Sequence, residues 1–153
     1  MAGTLPGPPA SLAARMAAAL LDGAVLWVSG VLWGFTVLRL AGGSGRSAVA
    51  LIAGEAILLA GWGAYFAWAE GRWGLSLGKL ALGLQVVGWD GRPIGVRRAL
   101  LRLAAKVAGL ALFGLGWLPA LASPERQAWH DRLAGSLVCA SQAWPAREGA
   151  GRP

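Results

Sequence analysis

The chain has 153 residues, 56% of them hydrophobic and 14% charged, with 14 Lys and Arg against 7 Asp and Glu and a net charge of +7. A soluble domain carries about a quarter charged residues, so this composition excludes an ordinary water-soluble globule and indicates a membrane protein. No RNA-binding signature and no basic helix apart from the apolar segments is present, so nucleic acid is excluded as a partner; the basic residues are assigned to topology and to anionic lipid head groups of the bilayer.

Residues 1–12, rich in Gly, Pro, Ala, Thr and Ser, read as a flexible tail, followed by a membrane domain over 13–142. The first apolar run, about 13–38, holds Asp22 seven residues after Arg15. An acid at a helix centre costs about 2.5–3.5 kcal/mol, and each Leu, Ile, Val or Phe returns about 0.3–0.6. Ten such residues lie between Met16 and Leu38, so the run still reads as a span. It is too long, and too interrupted by Asp22, for a cleaved signal peptide. A polar turn follows over Arg39 to Ser47. A second span over about 48–69 contains Glu55 and ends in the aromatic residues Trp62, Tyr65, Phe66 and Trp68, suited to a water–lipid interface. The short connection predicts an antiparallel hairpin.

From Glu70 the chain becomes basic. Leu84 to Trp89 is β-prone and leads into the turn dipeptide Asp90-Gly91. Val96 to Leu112 carries Arg97, Arg98, Arg102 and Lys106 at helical spacing, which predicts an amphipathic helix in the interface or the start of a third span. Val107 to Ala122 is apolar but short for a span, and contains Gly109, Gly114, Gly116 and Pro119; it either spans or re-enters. Polar sequence returns at Ser123 and includes His130-Asp131. A second β-prone run, Ser136 to Ser141, is expected to meet Leu84 to Trp89 as a small cytoplasmic sheet, provided the third apolar run turns back. Residues 143–153 read as a disordered tail. The basic residues Arg72, Lys79, Arg92, Arg97, Arg98, Arg102 and Lys106 place that stretch, and the N-terminus, in the cytoplasm. The expected fold class is thus an all-α membrane protein: a transmembrane hairpin, a third short apolar helix and amphipathic cytoplasmic segments.

Three pieces read together. Arg15 and Asp22 open the first span; Gly74-Leu-Ser-Leu-Gly78-Lys79, Gly83 to Val87 and Asp90-Gly91 follow the second; Arg126-Gln-Ala-Trp-His130-Asp131, with Gly135-Ser136-Leu-Val, closes the chain. The combination resembles the RDD family of small bacterial membrane proteins, named for one arginine and two aspartates, over residues 12 to 140. The resemblance carries over Arg15 and Asp22, with Asp131 as the second acid. Ser136 and Ser76 stand where the family usually has Thr. It implies a place in the bacterial inner membrane, and transport of an unidentified ligand, with sodium/proton antiport for some members.

Each candidate has a functional and a structural reading. Arg15 and Asp22, two turns apart on one helix face, lie about 10 Å apart along the axis, too far for direct pairing. Arg15 can snorkel to the interface. Asp22 then needs Arg98, Arg102, a Ser or Thr hydroxyl, or water: it is either a cation or proton site or part of a buried ion pair. Glu55 is a second intramembrane acid, either relaying a proton with Asp22 toward Tyr65 and Glu70, or facing an oligomer contact or lying near the outer interface. Asp131 caps a helix or pairs with Arg98 or Arg102. His130 stands alone, so no metal site and no cofactor is expected. Adjacent His130 and Asp131 cannot form a hydrolase triad, and the phosphate-loop likeness at Gly74 to Lys79 is one spacer short. Gly30-x-x-x-Gly34 is either a helix-packing pair or chance in a Gly-rich chain. Cys139 is the sole cysteine, which rules out an internal disulfide.

These readings predict a non-enzymatic integral protein with cation/proton antiport of Na+, Li+ or H+ through Asp22, acting as a homo-oligomer because three short helices enclose little. The alternative is a non-catalytic membrane scaffold or assembly factor, with Arg15, Asp22 and Asp131 as packing devices.

Overall fold

A computed structural model of the chain describes residues 7–40 and 47–141. The centre of the polar turn predicted after the first span, and the predicted tails at 1–6 and 143–153, lie outside the described residues.

The protein is mostly helical. α1 (Leu12–Leu40) and α2 (Ser47–Arg72) are long and apolar enough to cross a membrane. α1 starts where Ser11 Oγ accepts the Ala14 N–H at 3.1 Å, a serine cap on an otherwise uncapped helix end. Contacts between the two helices run in opposite sequence order. A methyl group on Gly54 would stand 3.0 Å from Trp33 Nε1, one on Gly34 would stand 3.3 Å from Glu55 Oε1, and Trp62 Nε1 donates to Ser29 Oγ at 3.0 Å. Both outer faces carry exposed Leu, Val, Ile and Trp, which water would not tolerate over such a length.

α2 is followed by the short α3 (Leu77–Ala81) and β1 (Leu84–Gly88). α4 (Val96–Ala111) ends in a reversal at Phe113 and Gly114, both in left-handed backbone (φ 54° and 80°). A 3-10 turn (Leu115–Trp117), α5 (Pro119–Ala122), α6 (Trp129–Ala134) and β2 (Ser136–Ala140) complete the chain. The third apolar run is therefore not one helix but a helix end, a reversal and two short turns. That reversal returns the chain so that β1 and β2 pair antiparallel, Val86 opposite Val138 and Gln85 opposite Cys139. The two β-prone runs meet as expected, and the all-α description needs this two-stranded sheet added.

One expectation is corrected. Residues 8–10 belong to the folded body: Ala10 N–H donates to Val138 O at 2.8 Å and Ala140 N–H to Pro8 O at 3.1 Å. This segment covers the outer edge of β2, which would otherwise present unpaired backbone groups. The basic stripe of α4 is split: Arg97 and Arg98 are exposed, whereas Arg102 is buried and Lys106 half-buried. Arg102 and Lys106 reach acids and Arg98 reaches backbone carbonyls, while Leu100, Leu101, Val107 and Leu110 of the same helix are exposed. The apolar core is small, built from residues such as Ala18, Leu84, Val86, Ile94, Ala99 and Val138. The largest fully buried side chain is Arg102.

Candidate functional site

The start of α1, the end of α2, and α3, α4 and α6 converge on one buried cluster of charges. Its first hub is Asp131, on the first turn of α6 and 0% exposed. One carboxylate oxygen accepts the Ala128 N–H at 3.1 Å and a hydrogen bond from Arg15. The other accepts Arg102 Nε at 3.0 Å and Nη2 at 2.6 Å. Asp131 thus both caps α6 and holds two guanidiniums. Arg15 also donates to Arg126 O and lies 5.4 Å from the Trp117 ring centre. It is buried rather than snorkelling, because a two-pronged set of acceptors in the folded body outcompetes the interface.

The second hub is Glu70, in the last turn of α2. Oε2 accepts Arg102 Nη1 at 2.6 Å; Oε1 accepts Lys79 Nζ at 2.6 Å and Lys106 Nζ at 3.2 Å. Arg102 therefore bridges both hubs. Sequence reasoning gave Glu70 only a place at the end of a proton relay. The signal available was its position: it is the single acid at the boundary between an apolar span and a basic segment, where several cations need a partner.

Asp22 joins this cluster from the side. Its oxygens accept Ser76 Oγ–H at 2.7 Å and the Gly78 N–H at 2.7 Å. Ser76 Oγ in turn accepts Lys79 Nζ at 3.1 Å. Of the partners expected for Asp22, the hydroxyl is the one found. Neither Arg98 nor Arg102 reaches it. α1 and α3 approach so closely here that a methyl on Gly78 would meet the Ala18 carbonyl and stand 3.0 Å from Asp22 Cγ. Arg98 is not a counter-charge for the motif acids: Nε donates to Ala134 O at 2.7 Å and Nη2 to Gly135 O, closing the carbonyl end of α6. Glu55 lies elsewhere, against Gly30 and Gly34. Those positions are two to three turns beyond Asp22, about 12–18 Å along α1, so the two acids do not form a pair. The Gly30–Gly34 stretch is used for close packing against α2.

The balance of fields follows from burial and neighbours. Burial pushes the Asp131 carboxyl up, but Arg102 and Arg15 outweigh it and hold it well below the usual carboxylate range. Arg102, despite full burial, is held above its ordinary value by Glu70 and Asp131. Burial lowers Lys106 to about 8, partly opposed by Glu70. Burial also drives His130 to about 3 despite Asp131 Oδ1 at 3.6 Å, so it is neutral at pH 7. His130 packs edge-on to Trp117 at 5.2 Å, and its buried Nε2 lacks a hydrogen-bond partner among the described residues. A cavity of about 30 Å³, lined in part by Arg15, Asp22, Lys79, Arg102, Lys106 and His130, sits at the centre. It has room for one water molecule. Among the described residues no group of three His, Cys, Asp or Glu is placed to hold a metal ion.

Comparison with curated proteins finds no match, and comparison with solved structures finds none. The RDD family model matches residues 9–135, a stretch that contains Arg15, Asp22, Asp131 and both hubs described above, and the chain belongs to the RDD family.

Proposed function

We propose that this RDD-family chain is a multi-pass membrane protein acting as a non-catalytic scaffold or assembly factor, in which Arg15, Asp22 and Asp131 lock the span ends to a cytoplasmic body. One observation carries this reading: every motif residue is engaged in a continuous hydrogen-bonded network running Arg15–Asp131–Arg102–Glu70–Lys79–Ser76–Asp22. Such a network holds five helices at fixed positions, and hydrogen-bonded buried charges specify one arrangement. Lys and Arg concentrate around the body, which favours a cytoplasmic N-terminus and a cytoplasmic sheet. Trp62, Tyr65 and Phe66 pack together through edge-on and tilted ring contacts within about one turn of α2, as an interfacial belt would. Asp22→Asn tests the reading. It should lower the unfolding temperature in detergent strongly, since a neutral amide leaves one donor on Ser76 or Gly78 poorly matched. An Asn variant as stable as wild type would remove Asp22 from the lock.

A second reading, cation/proton antiport through Asp22, is favoured by a separate observation: Asp22 also lines a groove of about 320 Å³ between α1, α2 and α4. Two spans enclose no path, so antiport would require a homo-oligomer. Purified protein in liposomes would then move protons against Na+ or Li+, and Asp22→Asn would stop it. Both oxygens of Asp22 already accept protein donors, which is why this reading stands second.

A further inference from the structure

We propose that the groove between α1, α2, α4 and the 3-10 turn binds one anionic phospholipid, its phosphodiester at Lys106 and an acyl chain along the apolar wall. The inference rests on the membrane reading above and goes beyond it. The wall is formed by Leu26, Phe66, Leu110 and Trp117, with Asp22 and Lys106 at the inner end, and encloses about 320 Å³. The small central cavity shares Ala19, Asp22, Lys106 and Trp117 with it, so the groove leads directly into the charge cluster.

Charge identifies the occupant. The cluster contains four cations, Arg15, Lys79, Arg102 and Lys106, and three carboxylates, Asp22, Glu70 and Asp131. The surplus falls on Lys106. Its contact is Glu70 Oε1 at 3.2 Å, an oxygen that Lys79 already holds at 2.6 Å. Lys106 is also the least buried of the four, with 27% of its side chain exposed. A largely desolvated ammonium without a full counter-charge is costly, and one phosphodiester carries the single negative charge required. Asp22 does not block this, since Ser76 and Gly78 hold its two oxygens. The apolar wall sets the ligand class. Leu110, on that wall, is 77% exposed. A hydrated free anion gains nothing from that wall, whereas an amphiphile buries a chain on it at about 0.8 kcal/mol per CH₂.

The test uses the full chain purified from membranes in mild detergent. Native mass spectrometry and thermal unfolding are read against dioleoylphosphatidylglycerol, dioleoylphosphatidylcholine and inorganic phosphate, each at the same concentration. The expected result is a 1:1 phosphatidylglycerol adduct and a saturable rise in unfolding temperature. Lys106→Gln should weaken that affinity at least fivefold. Leu110→Trp, at an exposed position where folding is not threatened, should do the same by filling the groove. Equal retention of phosphatidylcholine would overturn the charge argument. Equal stabilisation by inorganic phosphate would overturn the acyl-chain argument in favour of a simple anion site. Unchanged binding in both variants would place any lipid elsewhere and overturn the assignment. Failure to recover the chain in the membrane fraction would instead refute the membrane reading, before any lipid is added.

Discussion

Asp131→Asn isolates the first hub. The substitution preserves shape but removes the one negative charge shared by Arg15 and Arg102, in a position that is 0% exposed. Arg102 keeps Glu70 at 2.6 Å, so most of the loss falls on Arg15, left with the Arg126 carbonyl. Breaking a buried pair by removing one partner costs about 3–5 kcal/mol, because the remaining charge is uncompensated. For a chain of this size each kcal/mol moves the unfolding temperature by about 2–4 °C, so the expected fall is about 6–20 °C. The assay is built into the protein: Cys139 is the sole cysteine and fully buried, so a thiol-reactive fluorophore reports unfolding directly. Burial also raises the thiol above its ordinary pKa, which slows reaction in the folded state. Arg15→Met and the double variant complete a cycle, in which the pair should couple by about 0.5–3 kcal/mol. An Asn variant that unfolds within about 2 °C of wild type, a loss of no more than about 1 kcal/mol, would refute the idea that Asp131 anchors the cluster.

Other outcomes follow from the same geometry. Arg102→Met should destabilise more than Lys79→Met, since Arg102 serves both acids while Glu70 retains Lys106 when Lys79 is lost; equal effects in thermal unfolding would argue against a two-hub network. Gly78→Ala should cost about 1–3 kcal/mol by forcing α1 from α3, and an unchanged unfolding temperature would mean the close approach at Ala18 is not maintained. Stability should fall as pH drops from about 6.5 toward 4.5. In that window an unfolded His130 takes up a proton while the folded one, held at about 3, does not. The slope approaches about 1.4 kcal/mol per pH unit. The low-lying Asp131 contributes only at more acid pH, where its protonation removes stability. His130→Phe should flatten the curve between those pH values, and a slope unaltered by that change would assign the effect to another group.

The apolar segments were legible because length and composition alone decide whether a helix can cross a bilayer. The Leu84 and Ser136 runs were legible as a pair because each is β-prone and the third apolar run is too short and Gly-rich to separate them. What the sequence concealed is direction. A stripe of Arg98, Arg102 and Lys106 normally signals a solvated face, and periodicity does not say which side is buried. Here the acids Glu70 and Asp131, from segments about sixty residues apart, accept Arg102 and Lys106, while Arg98 stays exposed. The role of Arg98 at the carbonyls of Ala134 and Gly135 was equally hidden, since a backbone acceptor leaves no trace in residue type. Glu55 attracted attention as an intramembrane acid, but its depth against Gly30 and Gly34 depends on how α1 and α2 are staggered, which hairpin length alone does not fix. The N-terminal segment reads as a tail because it is rich in Gly, Pro, Ala, Thr and Ser; a proline carbonyl can nonetheless accept, and β2 uses that of Pro8.

The central claim is that Asp22 holds α1 to α3 rather than carrying ions. It is tested most directly by measuring proton flux against Na+ and Li+ gradients in liposomes containing wild-type protein beside its Asp22→Asn variant. The account predicts flux indistinguishable from protein-free liposomes for wild type, together with a marked loss of thermal stability in the variant. Wild-type flux that disappears in a folded, equally stable Asp22→Asn protein would contradict it.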